Sequence, residues 1–300
     1  MRVSAVIPAT NRPATLERCL RAIEASSLPP DELIVVEEPR GEGPAAARNL
    51  GAERATGDVL VFVDADVVVH GDAFERVRHA FESDPALVAV FGSYDDRPEA
   101  PGVVSVFRNL LHHHVHQESA GPASTFWAGL GGVRREPFRA AGGFDAARYH
   151  EPSIEDVELG LRLVSSGAPI ELDPELQGTH LKAWTLRSMV ATDFSRRAVP
   201  WVELLLERGQ GAGTLNLGAR HRASALASLV LVAGLAGRRP VLAGAALGAL
   251  LSLNRSFYRL LLERAGAGTA VAGVGLHVVH HVTATAAVPA GLVRAVSVQR

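Results

Sequence analysis

The chain has 300 residues, 47% of them hydrophobic and only 5% aromatic, so its interior is built mainly from small and aliphatic side chains and its length admits one or two domains. A formal net charge of −2 offers no basic field for a nucleic acid, and Lys182 is the one lysine, so the positive charge is nearly all arginine. The single cysteine, Cys19, excludes a disulfide framework and a cysteine-built zinc site, and its place on an apolar helix face suits a buried thiol.

Met1-Arg2 leads at once into Val3-Ser4-Ala5-Val6-Ile7, a buried-strand pattern, so no cleavable signal peptide is expected and the N-terminal part is expected in the cytoplasm. Pro8-Ala9-Thr10-Asn11-Arg12-Pro13 supplies turn residues, after which Leu16, Cys19, Leu20 and Ile23 recur at helical spacing. A second strand, Leu33-Ile34-Val35-Val36, meets Glu37-Glu38-Pro39, and a third, Val59-Leu60-Val61-Phe62-Val63, meets Asp64-Ala65-Asp66. Residues i and i+2 of a strand share a face roughly 6.5 Å apart, so two acids at a strand end can grip one divalent cation and its phosphates. Apolar strands alternating with helices predict a mainly parallel, Rossmann-like sheet with helices on both faces, whose strand ends open on one ligand-binding edge. No Gly-x-Gly-x-x-Gly follows the first strand and no Gly-x-x-x-x-Gly-Lys occurs, which argues against a dinucleotide cofactor and a P-loop.

His112-His113-His114-Val115-His116 places His112 and His116 on one helix face, but without an acidic or sulfur partner a zinc site is not the favoured reading. Phe126-Trp127-Ala128-Gly129 suits either an acceptor wall or core packing. Ser153-Ile154-Glu155-Asp156 reads as a helix N-terminus, continued by the apolar positions Ile154, Val157, Leu161 and Val164 and ended by Gly167. Arg196-Arg197-Ala198-Val199-Pro200-Trp201 and Asn254-Arg255-Ser256-Phe257-Tyr258-Arg259 read as interfacial anchors.

After Arg222 the composition changes: Ala223 to Ala236, Val241 to Leu253 and Thr269 to Val293 are nearly free of charge. The first two arms, split by Gly237-Arg238-Arg239-Pro240, are short for a span of ~20 residues and suit a shallow membrane hairpin. The arginines flanking them, Arg220, Arg222, Arg255, Arg259 and Arg264, put the large domain on the cytoplasmic side of a cell membrane. His277, His280 and His281, inside the last apolar stretch, suit neutral imidazoles facing a partner or headgroups. The expected organisation is a catalytic domain over 1–205, an interfacial linker over 206–222 and membrane-associated helices over 223–300.

The segments Val3 to Pro13, Asp31 to Glu38, Ala47-Arg48-Asn49-Leu50-Gly51 and Gly57 to Asp66 resemble the nucleotide-sugar-binding half of family 2 inverting glycosyltransferases. Gly142-Gly143-Phe144-Asp145 and Glu155-Asp156-Val157-Glu158-Leu159 resemble the acceptor half. Together they run in order over residues 3 to 200. The resemblance implies a nucleotide-diphospho-sugar transferase fold followed here by a C-terminal helical membrane region. It implies that Pro8, Thr10 and Asn11 lie by the nucleoside, that Glu37 or Glu38 faces the base, and that Arg48 contacts the nucleotide. Asp64 and Asp66 would hold diphosphate and metal, with His180 as a further metal ligand; an imidazole in the set favours Mn2+ over Mg2+. Asp156, with Glu155 beside it, would be the base that takes the acceptor proton. Where the family usually has two aspartates followed by Gly or Asn and Ser, this chain has Glu37-Glu38-Pro39-Arg40. That departure leaves the base open, with a UDP-sugar favoured over a GDP-sugar. The apolar tail adds a lipid or lipid-linked acceptor to the expectation. The rival readings are a sugar nucleotidyltransferase, poorly matched by Pro8-Ala9-Thr10-Asn11, and a non-catalytic membrane protein retaining the fold.

Overall fold

The computed structural model describes residues 1–208 and 218–298, and the chain forms two compact units: Met1–Glu99 with His116–Lys182, and Ala100–Val115 with the chain from Ala183 onward. Part of the linker expected over 206–222, residues 209–217, lies outside the described residues.

In the first unit, strand β1 (Val3–Pro8) is flanked in parallel by β2 (Glu32–Val36) and β3 (Val59–Val63). β1 and β3 are covered on both faces, which is why, apart from Ser4, they read as continuous apolar runs rather than alternating ones. Ser4, fully buried within β1, donates to Glu32 at 2.5 Å and accepts the Gly57 N–H at 2.9 Å. Beyond β3 the sheet becomes mixed. After the short β4 (Val67–Val69) come β5 (Ala89–Tyr94), β6 (Gly121–Ala123), β7 (Leu130–Arg134) and β8 (Ile170–His180). The order is β2-β1-β3-β7-β5-β8-β4, with β6 on β8; β7 runs antiparallel to both β3 and β5, and β5 parallel to β8.

Helices α1 (Leu16–Glu24), α2 (Pro44–Arg54) and α3 (Ala73–Ser83) connect the early strands. Then come α4 (Val103–Gln117), α5 (Arg135–Ala140) and α6 (Glu155–Ser165). Cys19 and Ile23 bury the inner face of α1 as their spacing predicts. α6 starts and stops where expected, with Gly167 at a positive φ of 85° just beyond it. Its buried face differs from the predicted stripe: Glu155, Glu158, Leu159 and Leu163 are inside, while Val164 is exposed. The acids can turn inward because Arg48 partners Glu155 and Arg162 partners Glu158.

The second unit is helical. After α7 (Leu186–Ala191) the backbone widens into a π-helical segment, Thr192–Ala198, and continues as α8 (Val199–Arg208). α9 (Ala219–Ala236) and α10 (Pro240–Leu253) follow, then α11 (Arg255–Val298), which is broken at Gly266 with φ 79°. α9 and α10 meet closely at Gly234, where any Cβ would press on Ala243. α11 is the one helix among the described residues long and apolar enough to cross a membrane by length and composition. The second anchor read at 254–259 is corrected in part: Phe257 is fully buried with Phe107 and Leu261, Asn254 donates to Ser224 at 2.9 Å, and the Tyr258 hydroxyl meets His277 at 2.9 Å. Of the histidines in the tail, His280 also has a partner within the unit, pairing with Asp193 at 2.7 Å, and Asp193 pairs with Arg108 at 2.9 Å.

α6 lies so close to the loop before β7 that a Cβ on Gly160 would overlap the backbone of Thr125 and Phe126. Gly160→Ala should therefore destabilise the protein by about 1–3 kcal/mol in chemical unfolding, although alanine is the better helix former. A neutral or stabilising effect would show that this contact is slack.

Candidate active site

β3 ends at Val63 and the chain turns at once. The Asp64 N–H donates to the Gly129 carbonyl at 3.0 Å, and the Val67 N–H returns to the Asp64 carbonyl at 2.9 Å. Asp64-Ala65-Asp66 is thus a tight turn into β4, so the turn, and not strand periodicity, sets the spacing of its carboxylates. They take different partners.

Asp64 meets Arg48, which α2 carries from the neighbouring crossover. Gly43 and Pro44 open that helix, and Gly51 lets it lie against Val6 of β1. The Arg48 guanidinium is buried and bridges two acids: Nη2 donates to Asp64 at 2.6 Å and Nη1 to Glu155 at 2.8 Å. The second oxygen of Glu155 accepts the Ser153 N–H at 2.8 Å. Burial alone would drive the guanidinium toward its neutral form, but the charges of Asp64, Glu155 and Asp156 raise its pKa, so Arg48 stays a cation. Burial pushes the Asp64 carboxyl up against the pull of Arg48.

Next to Arg48, Asn49 fixes the loop of the Gly-Gly-Phe-Asp segment. It donates to the Phe144 carbonyl at 2.8 Å and accepts the Phe144 N–H at 2.9 Å, while the Phe144 ring lies 5.5 Å from the Arg48 guanidinium. Gly143, with φ 69°, allows this approach, since a Cβ there would strike the Asn49 amide.

Asp156 begins the same helix as Glu155 but is left out of the Arg48 bridge. Its oxygens accept two backbone N–H groups, Ala128 at 3.1 Å and Val157 at 2.8 Å, and leave lone pairs free for a further donor. Desolvation, and then the neighbouring Glu155 charge, push its carboxyl up to about 6.

Asp66 faces His180, the last residue of β8, with Oδ2 and Nε2 3.6 Å apart. The antiparallel pairing of Val67 with His180 and a 2.8 Å bond from the Leu181 N–H to the Asp66 carbonyl hold the two in register. Burial raises the Asp66 carboxyl, but the His180 contact and the positive Lys182 outweigh it and set the group below its ordinary value. Among the described residues no group of three His, Cys, Asp or Glu side chains is placed to hold a metal unaided. One carboxylate and one imidazole are nevertheless ligand types that would suit a divalent cation such as Mn2+ together with other oxygen donors.

The residues expected around a nucleoside form a separate group at the ends of β1 and β2. Pro8 pairs with Val36, Thr10 donates to the Glu42 carbonyl at 2.6 Å, and Asn11 lies exposed in the turn. Glu37 is half-buried and Glu38 exposed, and they share Arg12, at 3.2 and 3.5 Å. His116 of the histidine run is buried and bonds the Gly92 carbonyl at 2.8 Å. The motifs gave no sign of Asn49 as the clamp on Phe144, of Ala128 as a donor to Asp156, or of Tyr94, whose ring stacks on His180. Tyr94 could have been found as the last residue of an apolar strand at the same edge.

Residues 31–141 match the family described as Glycosyl transferase family 2. A pre-mycofactocin glycosyltransferase of Mycobacterium tuberculosis is 27% identical over 213 residues, covering 63% of this chain and 44% of that protein, so the chain spans less than half of this relative. An uncharacterized glycosyltransferase of Haemophilus influenzae is 24% identical over 225 residues, covering 64% of this chain and 71% of its own. Among solved structures, a mannosyltransferase of Pyrobaculum calidifontis in complex with GDP-Man and Mn2+ shares the fold, with a TM-score of 0.56, 20% identity, and coverage of 96% of this chain and 86% of that one. The fold is therefore that of nucleotide-sugar transferases.

Arg48→Met strands Asp64 and Glu155 without their cation and should destabilise the protein by about 3–5 kcal/mol. Urea unfolding at neutral pH measures it, and a change under 1 kcal/mol would mean that water already solvates the bridge. Asp156→Asn should do the reverse. A carboxyl whose folded pKa is raised costs stability as pH rises from its unfolded value, near 4, through about 6. The Asn variant should gain on wild type across that window by about 1–3 kcal/mol. A difference independent of pH would refute the raised carboxyl.

Proposed function

We propose that this chain is a membrane-associated inverting glycosyltransferase that moves a sugar from a nucleotide-diphosphate donor to a lipid or lipid-linked acceptor. The observation that carries the reading is the division of four acids at one sheet edge. Arg48 bridges Asp64 and Glu155, Asp66 is held ionised beside His180, and Asp156 keeps a raised carboxyl with unused lone pairs.

Inversion needs one in-line displacement, in which an acceptor hydroxyl loses its proton as its oxygen attacks the anomeric carbon and the nucleoside diphosphate departs. Asp156 takes that proton, and a pKa of about 6 leaves it ionised at neutral pH yet basic enough to accept. Asp66 and His180 hold a Mn2+ or Mg2+ ion, which when bound neutralises charge on the departing diphosphate. Thr10, Asn11, Pro8 and Glu37 line the nucleoside end, with a UDP-sugar favoured and a GDP-sugar the second candidate. The family match over 31–141 and the shared fold support the donor class, and the Mn2+ and GDP-Man of the Pyrobaculum protein agree with it.

The second unit supports the membrane and lipid part. Leu226, Leu235, Val241, Val271 and Val293 are each more than 60% exposed, an arrangement suited to hydrocarbon. Tethering raises the local concentration of a membrane acceptor. The catalytic part then faces the cytoplasm, as the flanking arginines favour.

Full-length protein in detergent, with Mn2+, a panel of UDP- and GDP-sugars and a membrane lipid extract, should release nucleotide from one donor and label the lipid phase. Asp156→Asn should lower transfer by about 10²–10⁴-fold while sparing donor binding, and the wild-type rate should climb with pH through about 6. Silence across the panel, with folded protein, would overturn the transferase reading; release with label only in a soluble acceptor would overturn the lipid part.

A further inference from the structure

His180 ends β8 with a ring that must present Nε2 edge-on to Asp66, because an imidazole lone pair lies in the ring plane. Backbone pairing fixes where that ring hangs but leaves its rotation about the side-chain bonds open. The rotation is settled by Tyr94. Its ring lies parallel to the imidazole at 4.1 Å between centroids and 6° between planes. The position follows from the sheet: Tyr94, the last residue of β5, sits opposite Gly178 of β8, two residues before His180 on the same face. Gly178 carries no side chain there, and a Cβ would press on Val67 of β4.

Tyr94 is held in turn. The Trp127 ring meets it edge-on at 4.9 Å and 88°, and Trp127 lies over Gly129, where a Cβ would collide with the indole. The Gly129 carbonyl accepts the Asp64 N–H, and the Ala128 N–H donates to Asp156. A row of rings thus runs from the loop that holds Asp64 and Asp156 to the imidazole that faces Asp66.

We propose that Tyr94 is a positioning residue for metal binding: its stacked ring, braced by Trp127, sets the plane of His180 so that Nε2 and the Asp66 carboxylate share one divalent cation. The inference rests on the transferase reading of this site. What matters is the aromatic face and not the hydroxyl, so Tyr94→Phe should bind Mn2+ as wild type does. Tyr94→Leu keeps an apolar side chain of moderate size but lets the imidazole turn, and should weaken Mn2+ binding about tenfold or more.

The test is Mn2+ binding by the full-length protein in detergent with saturating UDP or GDP, read from the free-ion electron paramagnetic resonance signal and not from activity. Four proteins are compared with wild type: Tyr94→Phe, Tyr94→Leu, His180→Ala and the Tyr94→Leu/His180→Ala double variant. The expected pattern is loss in Tyr94→Leu, recovery in Tyr94→Phe, and no further loss from Tyr94→Leu once His180 is gone. Wild-type affinity in Tyr94→Leu, an equal loss in Tyr94→Phe, or additive losses in the double variant would overturn the positioning role while leaving the metal site intact. No Mn2+ binding by folded wild type would instead bring down the metal-assisted reading on which the inference stands.

Discussion

The first unit depends on one buried cation. Arg48 comes from α2, Asp64 from the end of β3 and Glu155 from the start of α6, and their three charges close within hydrogen-bond distance at the sheet edge. Such a bridge is a poor source of net stability, because taking each charge out of water cancels most of the attraction. Its effect is on placement. With both carboxylates committed to one guanidinium, the strand end and the helix start cannot slide past each other, and Asn49 clamps the Phe144 loop from the same helix. The N-terminal, strand-rich part and the later helical part of the unit are locked at the point where chemistry is expected.

The second unit shows the opposite distribution. Polar groups are drawn inward, where Asp193 takes Arg108 and His280, Asn254 takes Ser224, and Tyr258 takes His277. Several large apolar side chains are left outside on α9, α10 and α11. In water this would leave a large hydrophobic surface uncovered, whereas in lipid each exposed valine and leucine is solvated and these internal polar groups meet one another. The π-helical turn at Thr192–Ala198 fits the same pattern, since Asp193 lies within it and meets both Arg108 and His280 there.

Sequence periodicity revealed β1 and β3 because central strands covered on both faces need apolar runs, it found the edge strand β2 from its β-branched run, and it placed the ends of α6 because glycine marks the exit. It misjudged the inner face of α6. Acids are ordinarily counted as outward-facing, and only the tertiary positions of Arg48 and Arg162 make Glu155 and Glu158 buried residues. Phe257 and Tyr258 were misread for the same kind of reason: next to arginines they resemble an interfacial anchor, yet Phe107 and His277, distant in sequence, enclose them. Asp64 and Asp66 were legible as a pair, but their separate partners were not, because a turn and a strand end look alike in one dimension.

The raised carboxyl of Asp156 comes first from burial and then from the charge of the adjacent Glu155. Two adjacent acids at a helix N-terminus would ordinarily share the favourable end of the helix dipole, and both would ionise easily. Arg48 breaks that symmetry by taking Glu155 as a bonded partner and not Asp156. The negative charge of Glu155 stays next door, and in a desolvated position it raises the neighbour more than the guanidinium lowers it. The carboxyl left without the salt bridge is the one suited to take a proton near neutral pH, while the bridged one is suited only to hold position. In the transfer proposed above Asp156 would be the base and Glu155 its support, and the stability lost at Asp156 is the expected consequence of that division.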